Sequence, residues 1–253
     1  MNFLLVNDDG IKSKGIESLA WELSKRGKVF IFSPETEKSA SGSAMTINNS
    51  IIIKESHNFP VKVEKAFVLE NGFPVDCAKT GIFALKNKFN ITIDLIVSGI
   101  NRGENTGIDL RYSGTVGAAF DGIEKKIPSI AVSLASYDFE NPRFLNAAAF
   151  TGDFIDKNYN KIKHGKWKDY LFNINYPDCD NVTEYEFTKP ADFYYEEYYE
   201  IEEYSEHFRM MLRGKRIFDR DFNKGTDLYA IENGKVSISL IRPEYKYDIP
   251  EKF

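Results

Sequence analysis

Cysteine and histidine are scarce in this chain of 253 residues, which contains two of the first and three of the second. Cys77 and Cys179 form no CxxC motif and offer no disulfide framework. The histidines His57, His164 and His207 show no HExxH spacing. These absences argue against a zinc site and against a histidine-dependent phosphatase. The lack of a disulfide framework favours a reducing, cytoplasmic setting.

Long apolar runs and an excess of positive charge are also missing. No stretch of 18 consecutive apolar residues occurs, so no transmembrane helix is predicted. The opening run MNFLLV is too short for a signal peptide and has no basic segment before it. With 33 lysines and arginines against 38 aspartates and glutamates, the net charge is −5. This charge argues against binding to a nucleic-acid duplex but is compatible with a small phosphorylated substrate.

Three motifs of common nucleotide-binding and hydrolase folds are absent as well. No GxGxxG follows the first apolar segment, no GxxxxGK[ST] occurs, and no GxSxG is present. These absences weaken the cases for a dinucleotide-dependent oxidoreductase, a P-loop NTPase and a Ser-His-Asp hydrolase, respectively.

What the chain does contain is a regular alternation of short apolar segments and segments with helical periodicity. Residues 2–6 and 28–32 predict strands buried on both faces, and residues 15–26 between them predict a helix. The alternation continues with strands predicted at 66–69, 94–98, 128–134 and 171–175, and helices predicted at 76–86, 115–125 and 144–155. The pattern predicts an α/β fold with a doubly wound and mostly parallel sheet.

The composition changes after about residue 184. We therefore predict a core at residues 1–184 and a C-terminal extension, with a hairpin arm and a tail, at residues 185–253. Residues 192–206 hold five of the 14 tyrosines together with many glutamates. Two interpretations are open for this segment: a hairpin with a solvated acidic face, or an arm that packs on another subunit.

The first polar cluster is Asn7-Asp8-Asp9-Gly10, directly after the first predicted strand. Ligands of open α/β sheets bind beyond the carboxyl ends of the strands. Gly10 gives the chain freedom to turn, so that the two neighbouring carboxylates can face one ion. The alternative is an Asx-rich turn that merely ends a strand. On position alone, the two interpretations stand about equal.

Two further loops follow other predicted strands. The segment 39–43 (SASGS) offers hydroxyls and loop amides, and alone it is more typical of a flexible polar loop. The segment 98–119 is rich in Gly and Asn, and Ser113-Gly114-Thr115 precedes a predicted helix whose free amides favour an anion. Together the loops supply two carboxylates, a hydroxyl and an amide, which suit Mg²⁺, Mn²⁺ or Ca²⁺ better than zinc.

These segments, in this order, resemble the SurE family of survival proteins, which are 5′/3′-nucleotidases. The resemblance rests on NDDG (7–10), SASGSA (39–44), SGINRGENTG (98–107) and YSGTVGAA (112–119). It implies a metal-dependent phosphomonoesterase that acts on nucleoside monophosphates and, in some members, on short polyphosphate. It also implies a Rossmann-like catalytic core, a C-terminal extension whose hairpin arm and tail pack on the core and on a partner subunit, and a homodimer or homotetramer.

The resemblance further implies a set of site residues. One divalent ion, Mg²⁺ or Mn²⁺, would be held by Asp8, Asp9, Ser39 and Asn101. The phosphate would contact Asn105 and Ser113, with Gly114 and Thr115 beside them. The chain departs from the family where an Arg- and Gly-rich stretch is usual, since that region is rich in Tyr and Glu here.

The mechanism that we predict is hydrolysis by a metal-activated water, with Asp8, Asp9, Asn105 and Ser113 as catalytic residues. Either aspartate could serve as the general base. A covalent aspartyl-phosphate is the mechanistic rival, although the adjacent aspartates do not show the DxDx[TV] spacing. The rival from another class is a non-catalytic nucleotide-binding regulatory module on the same fold. A structural oligomer built on residues 192–206 is a third reading, but it leaves the preceding loops unexplained.

Overall fold

The structure is a computed structural model that describes residues 1–180, 182, 184–218 and 224–242. The first 34 residues form a βαβ unit of β1 (Asn2–Val6), α1 (Lys14–Ser24) and β2 (Lys28–Pro34). Helix α1 begins where the Ser13 hydroxyl accepts a hydrogen bond from the Ile16 backbone N–H at 3.4 Å. Such a cap satisfies one of the free amides at a helix start.

The chain continues through nine further strands and four further α-helices in the described ranges. They are β3 (Ile52–Glu55), β4 (Lys65–Glu70), α2 (Pro74–Asn87), β5 (Leu95–Arg102), α3 (Gly114–Glu124), β6 (Ser129–Leu134), α4 (Phe144–His164), β7 (Leu171–Tyr176), β8 (Tyr185–Thr188), β9 (Phe193–Glu203), β10 (Phe208–Phe218), α5 (Asp227–Glu232) and β11 (Val236–Ile241). A 3₁₀ helix, Gly107–Arg111, precedes α3.

The main sheet has nine strands in the order β3-β4-β2-β1-β5-β6-β7-β11-β8. The six strands from β4 to β7 are parallel, while β3 and β11 run antiparallel to the neighbours β4 and β7. Helices α1 and α4 pack on each other on one side of the sheet, and α2 and α3 pack on each other on the other side. The predicted doubly wound, mostly parallel α/β fold is confirmed.

Strand β5 is longer than the predicted strand at 94–98. The pairing of β5 with β6 shifts in register between Ser98 and Asn101, and the peptide bond between Gly99 and Ile100 is cis. After the shift, Asn101 and Arg102 pair with Ser133 and Leu134 of β6. Because of this additional pairing, Asn101, a predicted metal ligand, lies on a strand rather than on a free loop.

The C-terminal segment contributes both to the main sheet and to a separate ribbon. Strand β11 pairs with β7, and β8 pairs with β11, so the sheet continues past residue 184. Strands β9 and β10 form a two-stranded antiparallel hairpin whose side chains are mostly exposed. The division at residue 184 and the packing of the arm on a partner subunit stay predictions. In the described ranges, no helix has the length and apolar character needed to span a membrane.

Candidate active site

Asp8 and Asp9 lie in the turn beyond the carboxyl end of β1 and contact two different neighbours. The Asp8 side chain is buried, and its Oδ1 accepts a hydrogen bond from the Thr115 hydroxyl at 2.5 Å. The Asp9 Oδ2 accepts a hydrogen bond from the Arg102 backbone N–H at 2.9 Å. The turn therefore links the start of α3 on one side to the end of β5 on the other.

The environment of the two carboxylates disfavours their negative charge. Burial raises the pKa of Asp8 above its usual value, although the hydrogen bond from Thr115 opposes the shift. Burial and the neighbouring Asp8 charge raise the pKa of Asp9 to about 7, against the opposing effect of the Arg102 backbone N–H and guanidinium. A divalent cation between the carboxylates would remove this penalty, because it supplies the missing positive charge.

We expect the free energy of unfolding of the metal-free chain to fall as the pH rises from 3.8 to about 7 because of Asp9. Over this range the unfolded chain releases the Asp9 proton, whereas the folded chain retains it. The stabilisation is therefore complete at low pH and is lost as the pH rises through the folded-state pKa. Urea unfolding in EDTA at a series of pH values measures this slope. An Asp9→Asn variant should show a flatter slope, and an unchanged slope would contradict the assignment.

Ser39 lies on the loop after β2, and Asn101 lies near the end of β5, next to the Arg102 backbone N–H that donates to Asp9. The Ser39 hydroxyl donates to Glu37, and Glu37 also accepts a hydrogen bond from Arg102 Nη2 at 2.9 Å. The Asn101 amide nitrogen donates to the Gly103 carbonyl at 2.8 Å, which leaves the Asn101 side-chain oxygen as the atom able to ligate a cation. Arg102 thus connects the loop of Ser39 to Asp9 through its side chain and its backbone.

The donor set fits a hard divalent cation with part of its shell supplied by water. Among the described residues, no group of three or more His, Cys, Asp and Glu side chains could hold a metal ion. The two aspartates, one hydroxyl and one amide oxygen are all oxygen ligands, and a small number of carboxylates with retained waters is the usual arrangement for Mg²⁺. The fit rests on the two adjacent carboxylates, whose charges repel each other in the metal-free chain.

The start of α3 lies directly against Asp8. Ser113 is the N-cap of this helix, and its hydroxyl accepts a hydrogen bond from the Val116 N–H at 3.1 Å. The Ser113 hydroxyl oxygen therefore supports the helix start, whose first backbone amides can bind an anion. The loop of Ser39 packs on the same region, because the Gly42 N–H donates to the Tyr112 carbonyl at 2.8 Å. The three predicted polar loops do meet at one edge of the sheet.

Gly114 permits this close packing. A Cβ atom at Gly114 would lie 2.7 Å from Ser41 Oγ and 3.1 Å from Asp8 Cβ. We expect Gly114→Ala to lower the free energy of unfolding by about 1–3 kcal/mol through overpacking. It should also lower kcat/KM about tenfold or more, because the helix start moves relative to Asp8.

Gly214→Ala is the matched control for that substitution. A Cβ atom at Gly214 on β10 would meet its nearest neighbour at 3.6 Å, an ordinary contact. Thermal unfolding and steady-state kinetics of the two variants make the comparison. If the two variants had the same stability and the same kcat/KM, the close contact at Gly114 would contribute to neither.

Asn105 is held in place by two asparagines of β7 that the sequence analysis treated only as strand residues. The Asn105 N–H donates to Asn175 Oδ1 at 2.8 Å, and the Asn105 carbonyl accepts from the side chains of Asn173 and Asn175 at 2.9 and 3.0 Å. The Asn105 side-chain amide donates to Ser133 Oγ at 2.8 Å. The signal was present in the segment LFNINY, where two asparagines alternate with buried apolar residues.

The C-terminal segment also supports the stretch of chain around Asn105, residues 104–109. Asp227 is buried and accepts hydrogen bonds from the Gly107 N–H at 3.0 Å and the Ala191 N–H at 2.8 Å. Arg216 of β10 donates from Nη2 to Glu104 at 3.1 Å and to Asp109 at 3.3 Å. No sequence pattern singled out Asp227, because its partners are backbone groups distant in the chain.

A comparison with protein-family models finds a match to the family described as survival protein SurE over residues 3–197. The chain belongs to the SurE family. Among its relatives, the 5′-nucleotidase SurE of Kosmotoga olearia is 36% identical over 247 residues, covering 95% of this chain and 92% of that protein. The 5′-nucleotidase SurE of Thermosipho africanus is 34% identical over 265 residues, covering 100% and 98% of the two chains.

A solved SurE structure supports the same assignment. The crystal structure of the SurE protein from Aquifex aeolicus matches this chain with a TM-score of 0.79 and 28% sequence identity. The match covers 97% of this chain and 95% of that one. The resemblance to the SurE family drawn from the four sequence segments is confirmed.

Proposed function

We propose that this SurE-family chain is a 5′-nucleotidase that hydrolyses nucleoside 5′-monophosphates, and 3′-monophosphates as well, to nucleoside and phosphate. The reaction class is supported by relatives that share the name 5′-nucleotidase SurE across nearly the whole chain. The structural observation that carries the proposal is a pair of adjacent carboxylates, the buried Asp8, which lies against the start of α3, and the half-buried Asp9. Two adjacent anions beside an anion-binding helix end fit a phosphate only when a cation lies between them.

The proposed cation site consists of Asp8, Asp9, Ser39 and Asn101, and the ion is a single Mg²⁺ or Mn²⁺. When bound, such an ion lowers the pKa of water and offsets charge on phosphoryl oxygens. In the chain itself, the Thr115 hydroxyl and the Arg102 N–H each hold one carboxylate in a fixed orientation. Either carboxylate can accept the proton of the attacking water.

The proposed phosphate site consists of Asn105, Ser113, Gly114 and Thr115. The Asn105 side-chain amide carries two protons and gives one to Ser133, so the other can donate to a phosphoryl oxygen. The backbone amides at the start of α3 supply further donors. Donors fixed in advance by the β7 asparagines stabilise the charge that builds on the transferring phosphoryl group.

Phosphate release from a panel of nucleoside 5′- and 3′-monophosphates tests the proposal, with short polyphosphate included as a further substrate. The chain should release phosphate with Mg²⁺ or Mn²⁺, lose this activity in EDTA and recover it when the metal is restored. The same panel shows which base, which phosphate position and which metal is preferred. Absence of release under every metal, with nucleotide binding retained, would favour the non-catalytic regulatory module instead.

We further propose that the protein acts in the cytoplasm as a homodimer or homotetramer. The proposal on assembly is supported by the β9–β10 hairpin, whose exposed aromatic and aliphatic side chains suit a contact with a second subunit. Size-exclusion chromatography with light scattering distinguishes a monomer, a dimer and a tetramer.

A further inference from the structure

Two exposed aromatic rings lie on the loop between β6 and α4, at the carboxyl end of β6. Tyr137 is 68% exposed and Phe139 is 56% exposed. Large aromatic side chains in water leave much apolar surface uncovered, and such surface often marks a binding site when it lies beside other functional groups. The contacts of these two rings place them beside the candidate active site.

Phe139 is joined to the proposed cation site through Arg102. The Arg102 guanidinium carbon lies 3.6 Å from the centroid of the Phe139 ring, a cation–π contact. The same guanidinium donates to Glu37, which accepts from the Ser39 hydroxyl, and the Arg102 backbone N–H donates to Asp9. One residue therefore contacts the aromatic ring, the loop of Ser39 and the carboxylate of Asp9.

The Tyr137 ring lies against Gly103, between Asn101, a proposed metal ligand, and Asn105, a proposed phosphate contact. A Cβ atom at Gly103 would lie 2.9 Å from Tyr137 Cε1, so only glycine allows the ring to approach this closely. Gly103 follows Asn101 by two positions and precedes Asn105 by two positions. Both rings are thus fixed next to the segment that carries a proposed metal ligand and a proposed phosphate contact.

We propose that Phe139, with Tyr137 beside it, forms the surface on which the nucleobase of a nucleoside monophosphate stacks. The proposal rests on the function proposed above and adds the residues that distinguish a nucleotide from other phosphate esters. A planar base can stack on the exposed part of the Phe139 ring, while its phosphate occupies the edge formed by Asp8 and Asn105. Stacking on an aromatic ring tolerates every base, because each base has a π face.

A Phe139→Ala variant tests the proposal by comparing adenosine 5′-monophosphate with ribose 5-phosphate, which has the same ester and sugar but no base. We expect kcat/KM for the nucleotide to fall about tenfold, mainly through a higher KM, since one stacked base contributes on this scale. The value for ribose 5-phosphate should fall much less, because the Arg102 backbone N–H that holds Asp9 stays in place. Phe139→Trp should restore activity on the nucleotide.

Phe83→Ala is the matched control, because Phe83 on α2 is an exposed phenylalanine at 70% exposure and lies outside the site described here. An equal fall for both substrates in Phe139→Ala would overturn the proposal, as would an unchanged nucleotide value. Wild-type protein that hydrolyses neither substrate would overturn the proposed function instead. In that case the dissociation constant for adenosine 5′-monophosphate decides: about tenfold weaker binding in Phe139→Ala supports the stacking surface, and unchanged binding overturns it.

Discussion

An Asp8→Asn variant is expected to lose at least about 100-fold in metal-dependent phosphate release while it keeps its fold. Groups that merely orient metal ligands cost about 10- to 100-fold when they are removed, and a charged ligand contributes more than such a group. The asparagine has nearly the same shape and retains an oxygen that can accept the hydrogen bond from Thr115. The metal-free variant should be somewhat more stable than the wild type, because it lacks one of the two adjacent carboxylates whose charges repel each other.

Asp169→Asn provides the matched control for Asp8→Asn, since Asp169 is exposed and lies beside α4, away from the carboxyl ends of the strands. Steady-state rates with Mn²⁺ and thermal unfolding in EDTA are measured for both variants. A folded Asp8→Asn protein with activity near that of the wild type would remove Asp8 from the set of metal ligands.

An Asn105→Ala variant is expected to lower kcat about 100-fold and to lower the free energy of unfolding by about 1–3 kcal/mol, because the buried hydrogen bond to Ser133 Oγ is lost. The loss of one fixed donor to a developing oxyanion costs about 100- to 1,000-fold in well-studied hydrolases. The contacts that hold this segment use the Asn105 backbone N–H and carbonyl, which alanine keeps. The variant therefore removes the side-chain amide without releasing the loop from β7.

The control for Asn105→Ala is Asn158→Ala, which removes a partly buried asparagine amide that donates to the Phe154 carbonyl within α4. Its kinetic constants should match those of the wild type. If Asn105→Ala raised KM and left kcat unchanged, the side chain would bind the ground state alone and would have no part in stabilising the transition state.

The order of strands and helices could be predicted because the parallel strands are buried on both faces and read as short apolar runs. Residues 2–6, 28–32 and 128–134 all show this pattern, and each is a strand in the structure. The extension of β5 through Asn101 and Arg102 could not be predicted. Its polar residues pair with β6 only after a shift in register, and such shifts have no simple sequence signature.

The meeting of the three loops of the candidate site could also be predicted, because the carboxyl ends of parallel strands meet at one edge of a sheet. The groups that support the site were harder to find. Asn173 and Asn175 contact the backbone of Asn105, which lies 68 and 70 positions earlier in the chain. Likewise, Arg102 joins Asp9, Glu37 and Phe139 only in the folded chain.

Anomalous diffraction from crystals grown with Mn²⁺ tests the central claim most directly, since it locates the ion independently of activity. The expected result is one strong peak within bonding distance of side-chain oxygens of Asp8, Asp9, Ser39 and Asn101. A peak at another place, in crystals of protein that is active with Mn²⁺, would contradict the assignment of this edge of the sheet as the metal site.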